Sequence, residues 1–289
     1  MKKALSILVV VLCAFSVFAQ AVVESSSEKE ELRIVSLAPN VTEMIYALGS
    51  GSQLAGRTDY CNWPEEALSV PSIGTLWDPN MEAILAMNAD VAIASSIVDP
   101  SFIDSLNKAG IQAYQFNEEE SSFEGTFTLI RKVAAVIGKD AEAAKLVADM
   151  KARVAAVEEK TKGVEKKKSV VYMIGYGDWG DYAATGDTYL DGVIKAAGGI
   201  NAAESGVAWS ISKELLVKSD PDVIIISGYS GMNEAEEIAK FTSTAPYSEL
   251  KASKTGNVFV VDGDSTQRQG VRTADTVEQF AKILYPELF

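Results

Sequence analysis

The 289-residue chain contains no histidine. That absence removes His-based catalytic triads, imidazole metal sites and imidazole haem ligation together. Cysteine is nearly absent as well, with Cys13 and Cys61 alone. Basic side chains are few: 26 Lys and Arg stand against 40 Asp and Glu, a formal charge of −14. So acidic a surface suits neither nucleic acid nor an anionic membrane as its main partner. Also missing are a phosphate-binding loop, a Gly-x-Ser-x-Gly elbow and a Gly-x-Gly-x-x-Gly turn after a strand. Gly175-Tyr-Gly177-Asp-Trp-Gly180 comes nearest to the last, but its spacing is wrong and no clear helix start follows, so it reads as a mobile cleft loop. No catalytic residue and no metal site is assigned. Acid–base pairs among the many carboxylates are the surviving enzyme alternative.

Long apolar runs are confined to the start. Met1-Lys2-Lys3 supplies a positive n-region, Ala4 to Phe18 an apolar h-region, and Val17-Phe18-Ala19 small residues at the −3 and −1 positions. Residues 1–19 are therefore expected to be a signal peptide cleaved before Gln20. A transmembrane anchor is the lesser reading, because the run falls short of the roughly 20 residues of a membrane span. Lipid attachment at Cys13 is another, disfavoured by Leu12 where a small residue is expected. Loss of the signal leaves Cys61 without a partner, so no internal disulfide is expected. Residues 20–32, polar and rich in Ser and Glu, read as a disordered leader. About 270 residues remain, enough for two lobes with a core each.

Strand-like and helix-like patterns alternate in two stretches. In residues 33–138, Arg33 to Pro39 is a short apolar strand, and Asn40 or Thr42 is positioned to cap the helix that Gly49 ends. Asp90 to Ser95 and Ile111 to Phe116 are further strands. Pro100 to Ala109 and Phe123 to Ile137 are helices closed by Gly110 and Gly138. Residues 139–163 hold a long helical segment without Gly or Pro until its end, with apolar residues at Ala144, Val147, Met150, Val154 and Val157. At 1.5 Å per residue it reaches about 34 Å, roughly the width of a domain. It reads as a strut, with an ordinary packed helix as the alternative. Residues 164–289 alternate again, with strands at Val170 to Ile174, Asp222 to Ser227 and Asn257 to Asp262, and helices at Thr188 to Ala197 and Arg272 to Leu284. The pattern predicts an α/β fold of two Rossmann-like lobes with parallel sheets, joined by one long helix.

An internal repeat ties the two stretches together. Trp77, Glu82, Asp90-Val91, Ile93 and Ser95 recur as Trp209, Glu214, Asp222-Val223, Ile225 and Ser227, at a constant offset of 132 residues. Asn80 and Ser212 precede the glutamates as candidate N-caps, so each Glu falls in a first helical turn. There a carboxylate complements the helix dipole, which is the plain explanation of each glutamate alone. As a symmetry-related pair they suit a two-fold symmetric partner. The tryptophans precede these helices in loops, where α/β proteins bind ligands, and so become candidate cleft walls.

On these residues the chain resembles the periplasmic binding proteins for cobalamin and iron chelates, whose lobes are joined by one long helix. The resemblance covers Arg33 to Phe289. It rests on Arg33-Ile-Val-Ser-Leu-Ala-Pro39 with Thr42-Glu43 and Ala47-Leu48-Gly49, on Gly56 to Tyr60 followed by Pro64, and on Glu82 to Asp90. It implies a periplasmic, monomeric carrier with no resident cofactor, serving an ABC permease and, through it, the ATPase. In that family a glutamate on each lobe docks on permease arginines; the matching positions are Glu82 and Glu214. The family's vitamin B12 binder lines its cleft with aromatics, matched by Tyr60, Trp77 and Trp209, with Asp264 and Arg268 in the corresponding late loop. A corrinoid is the expected ligand. The alternative is a ferric siderophore, for which Arg57, Arg268 and Arg272 would matter. Haem is the weaker version, with Tyr60 or Tyr176 as axial candidates.

Overall fold

The computed structural model describes residues 31–289 apart from 96 and 117–121. The expected signal peptide, Cys13 and nearly all of the leader therefore lie outside the described residues. Ile34–Ser36 (β1) is buried throughout and runs straight into Pro39–Ala47 (α1). Pro39 occupies the start of that helix, where its fixed φ is already helical and its missing N–H is no loss. The N-cap is Ala38, without a side-chain cap. Asn40 and Thr42, expected as caps, lie inside the helix: the Thr42 hydroxyl donates to Ser36 Oγ at 2.8 Å, and Asn40 Nδ2 donates across the molecule to Gln269 O at 3.1 Å.

Leu54–Gly56 (β2), Met81–Ala86 (α2), Val91–Ser95 (β3), Pro100–Lys108 (α3), Gln112–Phe116 (β4) and Gly125–Ile137 (α4) complete the first lobe. Its sheet has the order β2-β1-β3-β4 and every pairing is parallel. Asp140–Thr161 (α5) follows, 22 residues long. Its buried face is Ala143, Val147, Met150, Val154, Val157 and Thr161. Ala144, expected to face inward, is exposed; both alanines fit helical spacing from Val147, and only packing chooses between them. The helix lies on α4 of the first lobe at one side.

The second lobe comprises Ser169–Gly175 (β5), Asp181–Ala183 (β6), Tyr189–Ala196 (α6), Ile200–Asn201 (β7), Ser210–Ile211 (β8), Lys213–Ser219 (α7), Val223–Gly228 (β9), Glu234–Ser243 (α8), Lys251–Lys254 (α9), Val258–Asp262 (β10), Gly263–Gln267 (α10) and Thr273–Leu284 (α11). On its other side α5 packs on α6 and α11. Arg153 there grips Glu278 with two nitrogens, at 2.8 and 2.9 Å, and also reaches Asp275. The second sheet is mixed, where a parallel one was expected. Its order is β10-β9-β5-β6-β8, and β6 runs antiparallel to both neighbours. The Tyr176 to Gly180 segment reverses the chain directly after β5. Without a crossover helix the next strand has to pair antiparallel. That loop is also pinned: the Gly177 N–H donates to Asp181 Oδ1 at 3.2 Å and to Tyr247 Oη at 3.0 Å.

The repeat is a repeat of structural work. Asn80 and Ser212 both cap, accepting from the N–H of Ala83 and of Leu215 at 3.0 and 3.1 Å. Ile84 and Leu216 are the fully buried anchors of α2 and α7. Asp90 accepts from the Arg33 N–H at 2.8 Å and Asp222 from the Ser169 N–H at 2.9 Å, so each aspartate fastens the first strand of its own sheet. Burial pushes the Asp222 carboxyl up, but hydrogen bonds from Lys251 and Ser169 outweigh it and leave the group below its ordinary range. A depressed carboxylate contributes stability above its unfolded pKa and loses it as pH falls through the folded one. Asp222→Asn is therefore expected to cost about 1–2 kcal/mol at pH 7. In melts taken from pH 7 to pH 3, the gap from wild type should narrow as Asp222 protonates. A gap independent of pH would contradict this assignment.

Candidate functional site

Parallel strands expose their last carbonyls and the loops beyond them at one edge, and ligands of open α/β sheets sit there. Both sheets place that edge on one open cleft of about 660 Å³. From the first lobe come Leu37 to Asn40 beyond β1, Tyr60 beyond β2, Leu76, and Ser95 and Ile97 at the end of β3. From the second come Ile174 of β5, Tyr189, Trp209, Ser227 to Tyr229 at the end of β9, and Gly263, Asp264 and Gln267 to Gln269 beyond β10. Ser95 and Ser227, equivalent in the repeat, thus line the cleft from opposite lobes.

Of the five residues expected in the cleft, Tyr60, Trp209, Asp264 and Arg268 line it. Trp77 does not. It is 65% exposed and packs edge-on against Tyr60, 5.4 Å between ring centroids, so it buttresses the rim. Tyr176 is held away from the cleft among Phe241 and Tyr247, with its hydroxyl donating to Glu237 Oε1 at 2.6 Å. Burial first, then Glu237, raise its pKa well beyond the tyrosine range. Tyr189, Tyr229 and Gln267 were not foreseen. Tyr229, 71% exposed, follows β9 directly, so its place after a predicted strand was the available signal.

Among the described residues, the charges in the cleft are already matched. Arg268 donates to Glu43 Oε1 at 3.2 Å, Asn62 Oδ1 at 2.7 Å and Tyr60 O at 3.1 Å, and pairs with Asp264 Oδ2 at 2.9 Å. Arg272 stands behind it with two bonds to Glu43, at 2.9 and 2.5 Å, and lies 5.0 Å from the centre of the Trp63 ring. Glu43 belongs to the first lobe and both arginines to the second, so this buried triad ties the lobes together. Burial pushes the Glu43 carboxyl above its ordinary range, and the hydrogen bonds and charges of Arg272 and Arg268 recover only part of that rise. Arg57 is spent inside its own loop on the carbonyls of Ala67 and Thr58. Cys61 is buried with its sulfur 3.1 Å from the Thr58 hydroxyl, a packing position. Glu82 and Glu214 are exposed in the first turns of α2 and α7, outside the cleft lining.

Two α/β lobes joined by a long helix, with an open cleft at their carboxyl ends, define a two-lobed solute-binding protein. Residues 34–265 match the family described as Periplasmic binding protein, and the chain belongs to that family. It is 30% identical over 267 residues to the uncharacterized ABC transporter substrate-binding lipoprotein YvrC of Bacillus subtilis, covering 91% of this chain and 82% of that one. It is 26% identical over 265 residues to a cobalamin-binding protein of Halobacterium salinarum, covering 89% and 70%. Among solved structures, a periplasmic heme-binding protein from Roseiflexus sp. RS-1 superposes with a TM-score of 0.77 at 24% identity, over 90% of this chain and 100% of that one. The periplasmic vitamin B12 binding protein of Vibrio cholerae gives 0.72 at 22%, over 88% and 96%. At such identities the structures share the fold. The protein is the substrate-binding component of an ABC transporter, a carrier and not an enzyme, working with a membrane permease and its ATPase.

Proposed function

We propose that the cleft captures cobalamin or a related corrinoid outside the cytoplasmic membrane, and that the protein, as a monomer, delivers it to the permease through Glu82 and Glu214. The observation that carries this reading is the electrical balance of the cleft. Among the described residues lining it, Asp264 and Arg268 are the charged ones, and they are paired with each other. The other described residues of its walls are aromatic, aliphatic or carry neutral amide and hydroxyl groups. Flat aromatic faces and neutral hydrogen-bonding groups suit a large macrocycle fringed with amides. An anionic ferric chelate would have to break an existing ion pair to find a cation, leaving the other partner uncompensated. The periplasm is the proposed compartment, with no resident cofactor.

Titration of the purified protein with cyanocobalamin is expected to quench tryptophan emission with a Kd of about 1 μM or tighter, equivalent to about 8 kcal/mol. Ferric siderophores and haemin serve as competitors. Saturable binding of either, with none by any corrinoid, would transfer the protein to the iron side of its class.

A further inference from the structure

Trp209 enters the cleft wall from an unusual piece of backbone. Val207 and Ser210 close a two-residue hairpin: the Ser210 N–H donates to Val207 O at 3.0 Å and the Val207 N–H to Ser210 O at 3.3 Å. The two loop residues, Ala208 and Trp209, both have positive φ, 49° and 64°. That is the signature of a type I′ turn, normally filled by Asn-Gly, Asp-Gly or Gly-Gly. A residue with a β-carbon is strained at such an angle, and strain of this kind persists where the surroundings over-determine it and a site uses it. Here the easy turn sequence is replaced by Ala-Trp, and the Trp lines the cleft.

The surroundings that hold the turn lie in the segment from Thr185 to Thr188, between β6 and α6. Asp187 Oδ2 accepts from the Ala208 N–H at 2.8 Å. Thr185 Oγ1 accepts from the Trp209 N–H at 3.1 Å, and the same hydroxyl donates to Asp187 Oδ1. The Ala183 N–H, donating to Trp209 O at 2.8 Å, fixes the far side of the turn. Gly206 lets the two segments meet, since a β-carbon there would come within 2.5 Å of Thr185 Cγ2. These hydrogen bonds, Thr185's first and that of the Ala208 N–H second, hold the Asp187 carboxyl below its ordinary range, as fits a charged acceptor at neutral pH. Trp77, the counterpart of Trp209 in the first lobe, has no positive φ and leans on Tyr60 instead.

We infer that Asp187, acting through Thr185, is a positioning residue for ligand capture: it locks the Val207–Ser210 turn so that the Trp209 side chain already stands in the cleft wall when the ligand arrives. Preorganisation of this kind saves the ordering cost that a free aromatic would impose on binding. The inference rests on the reading of the cleft as the ligand site, and the turn itself can be examined without any ligand.

The near-ultraviolet circular dichroism of Trp209 is read as the difference between wild type and Trp209→Phe. Asp187→Ala is expected to collapse that signal and to weaken cyanocobalamin binding about three- to tenfold, the loss for ordering one side chain on binding. Asp187→Asn, which keeps one oxygen for the Ala208 N–H but loses the acceptor of the Thr185 hydroxyl, should retain part of both. Ala208→Gly should raise the melting midpoint, because glycine takes positive φ without strain. An unchanged Trp209 signal in Asp187→Ala, or a lowered midpoint in Ala208→Gly, overturns the inference. If wild type fails to bind cyanocobalamin, the corrinoid assignment falls, while the Trp209 signal of the Asp187 variants still decides the role of Asp187.

Discussion

Uptake by cells carrying the Glu82→Ala/Glu214→Ala double variant is expected to fall to background, while the purified variant binds ligand as wild type does. Both glutamates are exposed at equivalent places of the repeat, and neither lines the cleft. One helical turn further, Leu85 and Val217 are exposed as well, again an equivalent pair. Each lobe therefore offers the same small patch, a carboxylate beside an apolar side chain, which fits a permease built with two-fold symmetry. Removing one partner of a desolvated charge pair costs about 2–5 kcal/mol. Losing one contact also removes the effective concentration that engages the other lobe, so the double loss exceeds either single one. Reversal of both charges to Lys should be worse than Ala, since it opposes like charges. If the glutamates only complement the dipoles of α2 and α7, each Ala costs about 0.3–1 kcal/mol of stability and transport stays normal. Denaturation and uptake measured on the same variants separate these accounts, and normal uptake by the double variant would end the docking proposal.

Glu43→Ala is expected to be the most destabilising single substitution among those considered, at about 3–5 kcal/mol. The side chain of Glu43 is fully buried, and those of Arg268 and Arg272 are nearly so, at 12% exposure each. Removing the carboxylate leaves two guanidinium groups between the lobes without their shared counter-charge. The melting point should drop on the order of 10 °C. Cyanocobalamin affinity should fall too, because Arg268 also fixes the backbone of Tyr60 and the side chain of Asp264. Glu43→Gln, which keeps the shape and one acceptor, should recover part of the loss. A cost below about 1 kcal/mol in urea denaturation would mean that Asp262 and Asp264 compensate both arginines.

Much of the architecture was legible in the linear pattern. The strands at Val91–Ser95 and Val223–Gly228 and the helix at Asp140–Thr161 agree with their expected positions within a residue or two. Local periodicity decides those elements, because a buried strand or a long amphipathic helix must show its period in sequence. The short strands β6 to β8 were not foreseen. Strands of two or three residues carry no period, and the antiparallel course of β6 follows from the turn before it. Helix α8 also went unassigned, although Asn233 caps it and three glutamates fill its first turn.

The sequence by itself determined the α/β class, the repeat at an offset of 132 residues, its two caps and the exposed glutamates. Each of these depends on neighbours within a few positions or on residue identity copied at fixed spacing. Tertiary structure alone decided that Arg268 and Arg272 are neutralised by Glu43, more than two hundred residues away in the chain. It also decided that Trp77 supports the rim while Trp209 enters the cleft. Two identical residues in one repeat diverge because a side chain's surroundings are set by what folds against it: Tyr60 in one lobe, and the Thr185–Asp187 segment in the other.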